Sequence, residues 1–216
     1  MTSSELKAKA KKQLEGKRKD AIIFVLIFGL ITYITNLILN KIFPGTTTTV
    51  YNSIKIQQTS TIASILGFVI NVFLGLGFTS YFMKITRGEK AEISELFSKG
   101  SLLLKGIAIS FISGIIIGLG FVCLIIPGII LALGYSMVTY IYLDNPEIGI
   151  ADALKESRTI MKGHKWQLFC LGLSFIGWAI LGLLTLGILY FWLVPYMYVT
   201  FINFYESIKG NKEVTA

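Results

Sequence analysis

Four long stretches of this 216-residue chain carry no Asp, Glu, Lys or Arg: residues 21–40, 56–83, 107–143 and 166–205. A helix needs roughly 20 apolar residues to cross a hydrocarbon layer of about 30 Å. The first two stretches, 20 and 28 residues long, each suit one crossing, with residues 57–61 left outside the hydrocarbon. The last two, at 37 and 40 residues, are too long for one crossing and suit two. With 54% hydrophobic and only 15% charged residues, the chain is too apolar for an ordinary soluble domain. The fold class is therefore all-α, a polytopic membrane bundle of six transmembrane helices.

The long stretches need internal turns whose backbone groups are satisfied. Pro127-Gly128 supplies one, because proline suits the first position of a new helix and glycine permits a tight reversal. Thr185-Leu186-Gly187 supplies the other, with Pro195 a kink inside the last helix. The expected helices are 21–43, 62–83, 107–126, 128–143, 166–184 and 188–206, and the shortness of the fourth leaves a re-entrant or strongly tilted path open.

Cations set the orientation, since short cytoplasmic loops carry the Lys and Arg excess. Eighteen of the 20 fall in the N-terminal arm, in 83–106, in 144–165 and in the tail, whereas only Lys41 and Lys55 lie on the other side, with the Thr-rich loop 44–61 placed outside. An even number of crossings with both termini cytoplasmic follows, divided as a basic arm (1–20), one membrane domain (21–208) and a tail (209–216). The arm lacks the cleavage pattern of a secretory signal and is expected to stay attached. Thr2 and Glu5 have capping-box spacing, and Leu6, Ala10 and Leu14 recur every four residues among lysines. Two readings remain open for it, an amphipathic helix on the anionic leaflet and a solvated basic arm.

An internal repeat is written across the chain. Sliding it by 57 positions sets Leu74-Gly75-Leu76-Gly77-Phe78-Thr79 on Leu131-Ala132-Leu133-Gly134-Tyr135-Ser136, and Lys105-Gly106 on Lys162-Gly163. A slide of 61 sets Tyr135-Ser136-Met137-Val138-Thr139 on Tyr196-Met197-Tyr198-Val199-Thr200. Three related hairpins are expected, each ending on the cytoplasmic side in an aromatic, hydroxyl-rich segment.

Amphipathic interfacial helices are expected between the hairpins. Asn145 caps one whose first residue is Pro146 and which Gly163 stops, with Ala151, Leu154, Arg158 and Met161 on one face. Arg158 then reaches lipid headgroup phosphate, and Lys162, His164, Lys165 and Trp166 form an interfacial belt beside it. A shorter counterpart, 91–98, offers Ile93, Leu96 and Phe97 to the same interface.

Little here resembles an active site. Cys123 and Cys170 fall inside expected helices, and His164 has no carboxylate or thiolate in register, so no catalytic residue, metal or other cofactor is expected. An ion-coupled transporter needs ionisable groups inside the membrane, and the helices lack them. Asn36, Asn71, Ser110, Ser113, Ser174 and Thr185 are expected to pack and hydrogen-bond from helix to helix, with Gly114, Gly118, Gly172 and Gly177 allowing close approach, the alternative being a path for an uncharged solute.

Residues 124–206 resemble the bacterial membrane proteins grouped as domain of unknown function 975. The likeness is carried by Ile125-Ile126-Pro127-Gly128-Ile129-Ile130, Asp144-Asn145-Pro146-Glu147, Met161-Lys162-Gly163-His164-Lys165, Leu173-Ser174-Phe175-Ile176-Gly177-Trp178 and Trp192-Leu193-Val194-Pro195-Tyr196. The resemblance implies a polytopic protein of the bacterial plasma membrane and lends no activity. The expected function is non-enzymatic: binding anionic membrane lipid or a membrane-protein partner, in envelope homeostasis or peptide resistance, with no nucleic acid involved. The alternative is a small permease or exporter of lipid, peptide or a weakly charged solute.

Overall fold

The structure, a computed structural model, describes residues 1–50 and 54–215. Among the described residues, five helical stretches are long and apolar enough to cross a membrane: Arg18–Ile42, Thr61–Thr86, Ile93–Cys123, Ile125–Asp144 and Lys165–Leu184. In order, the helices are α1 (Ser3–Gln13), α2 (Arg18–Ile42), α3 (Thr61–Thr86), α4 (Leu103–Cys123), α5 (Ile125–Tyr135), α6 (Val138–Asp144), α7 (Ile150–Ile160), α8 (Lys165–Leu173), α9 (Ile176–Leu184) and α10 (Tyr190–Thr215). The exception to an all-α chain is an antiparallel ribbon, β1 (Thr46–Val50) with β2 (Ile54–Gln58), paired from Thr46↔Gln58 to Val50↔Ile54. It lies in the Thr-rich segment read as a loop, where β-branched residues favour an extended backbone.

Burial is concentrated at one end of the bundle, where the cations also gather. There Phe24 stacks on Tyr81 with ring centroids 3.5 Å apart, and Phe78, Phe82 and Tyr198 close around them. Toward the opposite end the helices expose apolar side chains, including Tyr33, Leu124, Leu183, Leu184 and Leu186. Apolar surface on that scale is stable only where lipid rather than water covers it.

Local signals held where they were local. Thr2 and Glu5 form the capping box of α1, with Glu5 N–H donating to Thr2 Oγ1 at 3.3 Å and Thr2 N–H to Glu5 Oε2 at 2.9 Å. Gly163 lies just past α7 with φ +79°, as a glycine stop requires. The α9–α10 reversal falls at Thr185-Leu186-Gly187: Gly187 N–H donates to Gly182 O and Leu186 N–H to Leu183 O, the Schellman pair of bonds. Leu186 holds φ +51°, where a Cβ is strained, and its side chain is 94% exposed. Leu186→Gly is therefore expected to raise stability by about 1 kcal/mol, read as a higher thermal unfolding midpoint in detergent.

Other expectations shift. The α4–α5 break is at Leu124, which is extended (φ −167°, ψ 154°), three residues before Pro127-Gly128. Pro127 instead occupies the first turn of α5, where its missing N–H costs nothing. Gly128 serves close packing, since a Cβ there would enter the Phe121 ring. Asn145 is not the N-cap of α7 but ends α6; Ile148 N–H donates to its carbonyl, so Asn145 and Pro146 make a turn, and α7 begins at Ile150 behind Gly149. The buried face of α7 runs through Ala153, Leu154, Ser157, Ile160 and Met161, leaving Ala151 and Arg158 outside. Ser157 Oγ donates to Gly134 O at 2.8 Å, which fixes that rotation.

Gly114, Gly118, Gly172 and Gly177 meet nothing within 4 Å of a would-be Cβ, so close approach inside the chain rests on other glycines. Gly77 is the tightest against backbone: a Cβ there would lie 2.5–2.6 Å from Leu96 O, Glu95 O and Leu96 Cα. The 3₁₀ segment Ile93–Phe97 thus lies directly along α3, with Leu96 turned fully into the protein while Ile93 and Phe97 stay exposed. Lys84 pairs with Glu95, which also accepts from Ser80 and Ser98.

Candidate functional site

Three features converge near the charged end. The first is a polar network at the ends of α3, α6 and α10. Arg87 Nη2 donates to Asp144 Oδ1 and to Glu206 Oε1, each at 2.6 Å, and Arg87 Nε donates to Glu206 at 2.9 Å. Tyr205 Oη and Lys209 Nζ both donate to Asp144 Oδ2 at 2.8 Å. Burial works against the charge on Arg87, yet its hydrogen bonds to the Asp144 and Glu206 carboxylates outweigh it and hold the guanidinium above its ordinary pKa. The residues joined are 57 apart for Arg87–Asp144 and 61 apart for Asp144–Tyr205. Those are the two offsets at which the sequence aligns with itself.

The second feature is a chamber of about 350 Å³ just inside this network. Thr79, Ser136 and Met197, which stand at the same offsets, all line it, along with Thr139, Tyr140 and Tyr198. Thr79 is seven residues before the end of α3, about 10 Å at 1.5 Å per residue. Tyr140 stacks on Tyr205 at 5.4 Å, so the chamber and the ion network share a wall. Thr79 and Ser136 donate to Gly75 O and Leu133 O of their own helices. Among the described residues, the hydroxyls of Thr139, Tyr140 and Tyr198 have no hydrogen-bond partner.

The third feature is a cleft of about 420 Å³ between α1 and α2 on one side and α9 and α10 on the other. Lys7, Lys11 and Arg18 line it together with Trp178, Trp192 and Tyr196. The aromatic wall is continuous, Trp178 to Trp192 at 6.3 Å and Trp192 to Tyr196 at 5.7 Å. Helix α1 is held there because the face expected to meet lipid or water is buried in protein: Leu6 and Ala10 are fully covered and Leu14 is 4% exposed. Gln13 ties its end down, donating to Thr86 O at 2.7 Å and accepting from Asn203 Nδ2. Lys7 Nζ donates to Ser174 O at 3.3 Å and sits 4.3 Å above the Phe175 ring, and partial burial lowers its pKa. Among the described residues, Lys11 and Arg18 have no protein partner, so three cations face one partly desolvated slot with no carboxylate on its wall.

The belt read from the sequence lies elsewhere. Arg158 lies over the Tyr135 ring at 5.9 Å, and its Cγ and the end of the Lys165 side chain both lie within 4 Å of where a Cβ on Gly134 would stand. Lys162 is exposed, His164 is half-buried, and Trp166 is 72% exposed and stacked on Phe169. None of the five lines the cleft or the chamber. The small polar residues expected to bond from helix to helix instead bond along their own helices, Asn36 to Thr32 O, Asn71 to Gly67 O, Ser113 to Ile109 O and Thr185 to Gly182 O. The sequence reading missed Lys7, Lys11 and Arg18 as a unit with Trp178 and Trp192. It also passed over Thr79 and Ser136, whose signal was already present in the repeat. Among the described residues, no three His, Cys, Asp or Glu side chains gather to hold a metal.

Residues 106–212, from α4 through most of α10, match the family model described as Protein of unknown function (DUF975). No curated protein and no solved structure matches the chain.

Proposed function

The chain belongs to the DUF975 family, and from that premise we propose that it is a non-enzymatic protein of the bacterial plasma membrane that holds anionic lipid in the cleft between α1, α2, α9 and α10. The observation that carries this reading is the composition of the cleft: Lys7, Lys11 and Arg18 at its charged end, and Trp178, Trp192 and Pro195 along its apolar side. An anionic phospholipid has the same polarity, a phosphate above an acyl chain. Each cation near such a surface is worth about 1 kcal/mol. The occupancy serves envelope homeostasis or resistance to membrane-active peptides.

The proposal takes α10 as a sixth crossing and puts both termini in the cytoplasm. Its support is the cation count, the position of α10 beside α3 and α9, and the meeting of Arg87, Asp144 and Tyr205 at the repeat offsets. Three hairpins around one axis bring equivalent positions together, whereas unrelated hairpins have no reason to. The tyrosines of α10 lower its hydropathy and fit a helix facing the interior.

Purified in mild detergent, the wild type is expected to retain phosphatidylglycerol in native mass spectrometry. Lys7→Ala/Lys11→Ala/Arg18→Ala is expected to lose most of it, and Arg158→Ala/Lys162→Ala to retain it. Equal retention in all three would remove the cleft as the site. A small permease is the second reading, favoured by the gathering of Thr79, Ser136 and Thr139 on one chamber.

A further inference from the structure

The chamber behind the ion network is bordered sideways by a second space. An apolar groove of about 530 Å³ runs between α5–α6 and α8–α9, walled by Leu133, Met137, Leu168, Phe169 and Leu173. Ser136, Tyr140 and Phe201 belong to both spaces. A hydroxyl-lined chamber and an apolar slot thus lie on either side of one wall.

No charged side chain lines either space. Arg87 and Lys209, beyond the chamber, are engaged by Asp144 and Glu206, and Arg158 and Lys165 stand outside the groove, about Gly134. A phosphate brought into the chamber would lose its water and meet no cation on the wall, which disfavours an ordinary anionic phospholipid there. The hydroxyls are complementary to something else. Thr79 and Ser136 have committed their protons and offer lone pairs, while Thr139, Tyr140 and Tyr198 have protons to give. Donors and acceptors interleaved in this way match a head of one or two alcohol groups. Such a head also sits deeper in a bilayer than a phosphate does, because it has no charge to desolvate, and the chamber lies about 10 Å inside the charged end.

We propose that the chamber and groove together form a binding site for a neutral, hydroxyl-headed lipid of the diacylglycerol class, with the alcohol among Thr139, Tyr140 and Tyr198 and an acyl chain along Leu168, Phe169 and Leu173. It deepens the lipid-binding reading by adding a second site of different chemistry, and it stands or falls separately from the basic cleft.

Two designed variants test it. Tyr140→Phe/Tyr198→Phe keeps both rings, including the stack on Tyr205, and removes two hydroxyls. Gly172→Leu sends a side chain into the groove from a position where a Cβ meets nothing within 4 Å. Dioleoylglycerol and dioleoylphosphatidylglycerol are titrated separately in native mass spectrometry against wild type, these two variants and the Lys7/Lys11/Arg18 triple alanine, each first checked for an unchanged thermal unfolding midpoint. The expected result is a loss of about tenfold in dioleoylglycerol affinity in each chamber variant, with the triple alanine binding it as wild type does. Dioleoylglycerol binding that is absent, indifferent to both chamber variants, or abolished by the triple alanine overturns the proposal. Failure of the basic cleft shows separately, as phosphatidylglycerol binding that ignores the triple alanine.

Discussion

Replacing Asp144 with alanine is expected to destabilise the protein by about 2–3 kcal/mol, the largest loss from any single carboxylate described. Its side chain is 8% exposed and accepts from Arg87, Tyr205 and Lys209. Removing it strands Lys209 and takes one of two carboxylates from Arg87, side chains that are 40% and 35% exposed, enough contact with water to keep the cost below that of a fully enclosed pair. Arg87 retains Glu206, so the network weakens rather than vanishes. Asp144→Asn, which keeps the size and one acceptor, should lose about half as much. Tyr205→Phe, which deletes one donor and leaves the ring stack on Tyr140, should lose about 1 kcal/mol. Thermal unfolding in detergent ranks the three, and an Asp144→Ala midpoint equal to wild type would mean the three helix ends are not joined there.

Gly77→Val is expected to cost as much or more, by a steric route. The would-be Cβ meets only backbone at 2.5–2.6 Å, so no side chain can rotate away and Ile93–Phe97 must move off α3. Overpacking of this kind costs about 1–3 kcal/mol, and displacing the segment also breaks the Lys84–Glu95 pair and the Ser80–Glu95 bond. Gly75→Ala is the control two residues away, where a Cβ meets nothing, and helix propensity alone should make it neutral or slightly stabilising. Similar midpoints for Gly77→Val and Gly75→Ala would place the 3₁₀ segment away from α3.

What the sequence made legible divides along a physical line. The charge-free stretches need only composition along one segment, and the Thr2–Glu5 box, the Gly163 stop and the Thr185–Gly187 reversal depend on residues a few positions apart, so each was readable where it stood. Pro127-Gly128 looked like the same kind of signal, but proline is tolerated throughout a first helical turn, so it marks a helix start only to within a few residues. Asn145-Pro146 fits both a helix start and a turn, and packing chose the turn. The face of α7 was misjudged by one position because a bond to Gly134, more than twenty residues earlier, sets its rotation.

The candidate site was mostly hidden for the same reason. Lys7, Lys11 and Arg18 read as part of a uniformly basic arm, and nothing in their neighbourhood points to Trp178 and Trp192. Only the docking of Leu6, Ala10 and Leu14 onto the bundle brings the two together. The chamber was half legible. The repeat paired Thr79 with Ser136 and Ser136 with Met197, and equivalent residues of repeats packed about one axis are natural neighbours, but the aromatic and hydroxyl content of those segments was read as belonging to helix ends.

The anionic cleft can be interrogated in a bilayer through its own tryptophans. The chain has three, and Trp166→Phe leaves Trp178 and Trp192, both on the cleft wall, as the fluorophores. Reconstituted in vesicles carrying a minor fraction of brominated lipid, this variant is expected to be quenched more strongly by brominated phosphatidylglycerol than by brominated phosphatidylcholine, and the difference is expected to disappear when Lys7, Lys11 and Arg18 are alanine. Equal quenching by the two lipids with the three cations in place would contradict the account.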